Sequence, residues 1–133
     1  MTPQEQLLEA KRYIDNAKDL LKNKAVKQDM HYQDSKYVKM AGNTAWNGVL
    51  VALDIFVKKT KNGRKSVDTY RDEVRKMDSK LLNNFNSAYN ILHLLLGYDG
   101  ETSYNTVQDG LRQANKIIEF VETRIQTLQG VPK

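Results

Sequence analysis

Few residues in this chain could do chemistry. Of 133 residues two are histidines, His31 and His93, and none is a cysteine. Without a thiol, disulfides, zinc–thiolate sites, iron–sulfur clusters and cysteine nucleophiles are excluded. His31 falls in a stretch that reads as loop. His93 has neither a second histidine nor a carboxylate three or four residues away, so no helical metal pair forms around it. The Glu-x-x-His spacing of di-iron bundles is absent, as are glycine-rich phosphate loops and nucleophile elbows. No metal site and no cofactor is expected.

What remains is polar but uncharged. Asn43, Asn47 and Asp54 stand at i, i+4 and i+11 within an otherwise apolar segment. At about 100° per residue they fall within roughly 40° of one another on a helix. Asn86, Asn90 and His93 stand at i, i+4 and i+7 in a second such segment and form a second stripe. A face that merely meets water tends to use Lys and Glu, which are better helix formers than Asn. Amides instead suit hydrogen-bonded burial in a pocket or an interface. The bland alternative is that each stripe is the outward face of its helix.

A third feature is electrostatic. Between Lys58 and Lys65 the chain carries Lys58, Lys59, Lys61, Arg64 and Lys65 and no acid. These five groups equal the whole formal net charge of +5. They are candidate phosphate contacts, although no aromatic residue lies among them to stack a base.

The elements that position these residues read as helices throughout. Thr2-Pro3-Gln4-Glu5 combines an N-cap hydroxyl, a proline at N1 and a glutamate at N3. Leu7, Ala10, Ile14, Ala17 and Leu21 then repeat at helical spacing, so the first helix is expected over 3–28. The second is expected over 34–60, with Val38, Ala41, Ala45, Gly48, Val49, Ala52 and Phe56 inward and many of them small. Asn62-Gly63 reads as a turn. The third runs from Ser66 through Val67, Tyr70, Val74 and Met77 to Leu81, Phe85, Ala88, Leu92 and Leu95. Unbroken, it would reach roughly 46 Å, longer than its neighbours, so a break is expected near Asp78, giving 66–77 and 79–96. Gly97 and Asp99-Gly100 end it. The last helix, over 103–129, carries Tyr104, Val107, Leu111, Ala114, Ile118, Val121, Ile125 and Leu128.

No strand-like alternation or internal repeat is present. Four main helices on short connections imply an all-α, antiparallel up-and-down four-helix bundle in one domain covering 1–133. Met40–Leu53 lacks charge but is too short to span a bilayer. Leu81–Tyr98 is long enough but carries four asparagines and His93, so no membrane span is expected. The early Glu5 and Glu9, with no apolar stretch behind them, argue against a secretory signal, and a cytoplasmic location is expected.

The segments KYVKMAGNTAWNGVLVALDIFV, RKSVDTYRDEV and LLNNFNSAYNILHLLLGYDG resemble a family of short, uncharacterised bacterial proteins. These are similar in helix order to the HEPN superfamily of four-helix bundles. That resemblance implies a homodimer, and in active members a metal-independent ribonuclease built on an Arg-x(4–6)-His motif. His93 matches the histidine in position. Asn86, Ser87 and Ala88 occupy the places where the arginine would stand, and the nearest arginine before them is Arg75. An amide supplies neither the charge nor the bidentate fork that holds a phosphate. The resemblance therefore implies a non-catalytic HEPN-like module, acting through nucleic acid or through a protein such as a nucleotidyltransferase. A ribonuclease using His93, and a purely structural bundle, are the alternatives.

Overall fold

Thr2 starts the first helix: its hydroxyl accepts from the Glu5 amide at 3.1 Å. In the computed structural model, which describes residues 1–58 and 63–130, α1 spans Pro3–Leu20. It buries Leu7, Ala10, Ile14 and Ala17, the stripe that the spacing demands. From Leu21 to Ala25 the helix widens to π turns, and the Val26 amide reaches back five residues to the Leu21 carbonyl at 3.0 Å. The helix does not continue to residue 28 as expected. Val26 leaves it at φ 58°, and a small antiparallel hairpin follows, β1 (Lys27–Gln28) pairing with β2 (His31–Tyr32). Two-residue strands are too short to show alternation in a sequence. The hairpin is fastened to a distant segment, with the Tyr32 amide donating to the Thr102 carbonyl and the Tyr104 amide to the Met30 carbonyl.

α2 (Ser35–Leu53) begins under an Asp34 cap. It ends well before residue 60. Asp54 turns aside, and the Phe56 and Val57 amides both bond back to the Leu53 carbonyl. Lys59, Lys61 and Asn62, part of the expected basic loop and turn, lie outside the described residues. α3 (Val67–Met77) opens on a reciprocal Ser66–Thr69 capping box. The chain breaks at Asp78, whose extended backbone interrupts the rod while its carboxylate caps the Leu81 amide at 2.9 Å. α4 covers Ser79–Ala88 and runs on as π turns over Tyr89–Leu96. α5 (Tyr104–Leu128) starts at Ser103, which caps Thr106.

The π turns correct one expectation about the core. A regular 3.6-residue period after Leu92 brings Leu95 inward. Wider turns advance the inward position by about one residue, so Leu96 is buried at 1% exposure and Leu95 is exposed at 39%. Gly97 ends this segment as expected, in a right-handed conformation at φ −66°. The left-handed residue is Gly100, at φ 70°.

The protein is mostly helical, with five helices and one two-stranded hairpin among the described residues. α2 packs along α1 and also touches α5 and the π segment of α4, while α4 lies against α3 and α5. No described helix is long and apolar enough to cross a membrane. Two glycines set how closely α2 is approached. A Cβ on Gly48 would meet Tyr13 Cβ at 2.8 Å, on the α1 side. A Cβ on Gly42 would meet the Leu92 carbonyl oxygen at 2.7 Å and Leu96 Cβ at 2.5 Å, on the α4 side. Helical glycine costs about 1 kcal/mol relative to alanine, so Gly42→Ala gains propensity, but it forces two backbones apart. Urea unfolding should show a net loss of about 1–3 kcal/mol. A neutral or stabilising Gly42→Ala would mean that this contact is loose.

Candidate functional site

Trp46 is the one aromatic residue buried on α2. It is buried beside three rings of α4: Phe85 at 5.4 Å, Tyr89 at 5.5 Å and His93 at 5.9 Å between centroids. The His93 ring stacks over the indole at an interplanar angle of 30°. Tyr89 in turn lies 5.5 Å from His93. His93 stands within the π-turn segment, a backbone form often found at functional positions.

The two amide stripes border this aromatic floor. Asn43 is exposed and its amide nitrogen donates to the Gly97 carbonyl at 3.2 Å, which places its stripe on the α4 side of α2. Asn47 is exposed one turn further on. Across the seam, Asn90 is exposed and His93 half-buried. Asn43 and His93 thus flank the contact around Trp46, while Asn47 and Asn90 are exposed on the same two elements.

Asp54 and Asn86 are employed otherwise. Asp54 Oδ1 accepts from the Tyr70 hydroxyl at 2.6 Å and from Lys65 Nζ at 2.7 Å, which pins the chain after α2 to α3. Burial, followed by this bond to a carboxylate, holds the Tyr70 phenol in its protonated form well above its ordinary range. Lys65 is therefore ion-paired and only 15% exposed, while Lys58 and Arg64 are exposed. Asn86 accepts from Arg71 Nε at 2.9 Å.

That arginine was not among the candidates that spacing suggested. Arg71 sits on α3, one turn before Arg75, and its guanidinium lies 5.8 Å from the Tyr89 ring centroid. Its other arm pairs with Asp68 at 2.7 Å. Folding thus brings an arginine to Asn86. The sequence hides this because the arginine comes from another helix.

The seam holds one unpaired group. His93 Nδ1 is enclosed and has no hydrogen-bond partner among the described residues. Such an atom costs stability, typically about 1–3 kcal/mol. No described group of three or more His, Asp or Glu residues could hold a metal ion.

The model of a family described as "Domain of unknown function (DUF5618)" matches residues 5–123. The chain belongs to that family. It is also similar to a solved structure described as a protein of unknown function from Dyadobacter fermentans, at 50% identity and a TM-score of 0.90. That match covers 93% of this chain and 99% of the other. No curated protein matches. Nothing in these matches links the family to the HEPN superfamily.

A histidine kept for packing and one kept for function respond differently to substitution. His93→Phe preserves the aromatic stack and removes the unpaired nitrogen. Its stability should equal or exceed that of the parent by up to about 1 kcal/mol in urea titration. A loss above about 2 kcal/mol would make His93 a structural residue and remove the argument for a role at the seam.

Proposed function

We propose that the protein is a non-catalytic, HEPN-like four-helix bundle, with α3 as an added short helix, that acts as an interaction module and pairs with a second copy through the α2–α4 seam. The observation that carries this reading is the character of the exposed side chains there. Past the exposed Lys36 and Lys39 of its first turns, α2 exposes Met40, Asn43 and Asn47, and the extension of α4 and the turn after it expose Asn90, Leu94, Leu95 and Tyr98. None of these seven is charged, in a chain where 28% of residues are. Interface centres are depleted of charge and enriched in Met and aromatic residues. An amide both donates and accepts, so an asparagine stripe can pair with its own image across a two-fold axis. A lysine there would meet a like charge.

Arg71 supports the non-catalytic part. Its guanidinium is spent on Asp68 and Asn86, so it is not free to hold a phosphate as a bidentate fork. The same residue gives the second reading its one favourable observation, because a cation does stand on the α4 face that carries His93. On that reading the protein is a metal-independent ribonuclease using His93. A partner protein such as a nucleotidyltransferase would use the same uncharged face.

Light scattering should report about twice the 15.3 kDa chain mass, and Asn47→Lys with Leu94→Lys should give a monomer of unchanged helicity. A monomeric parent protein sinks the pairing with a second copy. Single-stranded RNA incubated with the protein in chelator should stay intact. Cleavage that disappears in His93→Ala would replace the non-catalytic reading with the ribonuclease.

A further inference from the structure

One cleft on the described surface lies away from the seam. It measures about 520 Å³ and lies between the π turns at the end of α1, the hairpin and the first half of α5. That volume falls within the range of small-molecule sites. Its charged lining is of one sign: Lys18, Lys22 and Lys27, with no Asp or Glu. Asp19, the acid next to Lys18 in sequence, lines another groove. Asp109 pairs with Arg112, and Asp15, Glu119 and Glu122 line a separate groove that shares only Lys18 with this one. None of the three lysines has an ion-pair partner among the described residues. Lys18 and Lys22, one helical turn apart, are like charges that repel one another, and a bound anion relieves that.

The rest of the lining is not what a bare anion needs. Tyr104 lies on one wall, 6.2 Å from the Tyr32 ring, and Lys27 Nζ sits 4.1 Å from its centroid. Gln108 lines the same wall as Tyr32. Leu21 and Leu111 are buried beneath, and Val26 stands exposed at the rim. Val26 is also a β-branched residue at φ 58° and ψ 112°. That conformation is an outlier for such a side chain, and backbone strain of this kind gathers at ligand sites.

We propose that this cleft binds a nucleotide, its phosphates held by Lys18, Lys22 and Lys27 and its base laid against Tyr104 and the apolar floor. Lys27 leaves the Tyr104 ring as it takes the phosphate, which frees that face for stacking. The assignment is independent of the α2–α4 seam and stands or falls separately from it.

The test is amide chemical-shift titration of the full chain with ADP, and with pyrophosphate and adenosine as its two halves. ADP should give saturable shifts confined to residues around 18–32 and 104–111, with either half binding at least about tenfold more weakly. Lys22→Ala with Lys27→Ala should weaken ADP by about tenfold or more at unchanged helicity and unchanged self-association. Tyr104→Leu should weaken ADP while leaving pyrophosphate as it was. A 5′-phosphorylated RNA hexamer shifting the same amides at lower concentration than ADP names a strand end as the source, and a weaker response names the free nucleotide. No saturation by ADP at about 5 mM, an equal response to pyrophosphate, or ADP binding indifferent to the lysine variant overturns the proposal.

Discussion

Everything in this molecule is arranged around how closely other helices approach α2. Ala41, Gly42, Ala45, Gly48, Val49 and Ala52 are all buried on it, and α1, α5 and the extension of α4 all pack on the same short rod. Small side chains bring backbones near enough for dispersion contacts that larger ones would forfeit. The helix gives up intrinsic propensity at its glycines and recovers it in packing. The arrangement leaves Trp46 as the one aromatic residue buried on α2, where it stacks with Phe85, Tyr89 and His93.

Much of this architecture is legible in the residues, and the places where it is not have physical causes. Thr2, Ser66, Asp78 and Ser103 carry local chemistry that starts helices, and each helix begins beside its cap. The stripe from Leu7 to Leu21 is buried as its period requires. Helix ends are different, because they answer to tertiary partners. α2 stops where Asp54 is claimed by Tyr70 and Lys65, and no local pattern announces a partner from another segment. The period itself misleads across Tyr89–Leu96, because a π turn holds more residues than an α turn and shifts which leucine faces inward.

The candidate sites divide along the same line. Asn43 and Asn47, and Asn90 and His93, pair along one element each at a spacing that a sequence displays. Arg71 reaches Asn86 from α3, and the lysines and tyrosines of the cleft come from α1, the hairpin and α5. Residues assembled from several elements share no periodicity, so only the folded chain brings them into view. Asp54 shows the converse, since its spacing fits the stripe while its bonds belong to a structural clamp.

The hairpin's attachment to the start of α5 has a kinetic meaning. Tyr32 with Thr102, and Met30 with Tyr104, join points separated by about seventy residues, enclosing α2, α3 and α4 in one loop. Closing a loop of that length costs entropy that short-range helix contacts do not incur. The hairpin clasp therefore belongs to the late events of folding, after α1 and α2 have paired. The walls of the lysine-lined cleft come from the two sides of that clasp, so the cleft does not exist in a partly folded chain. A ligand held there recognises only the finished molecule and draws the folding equilibrium toward it.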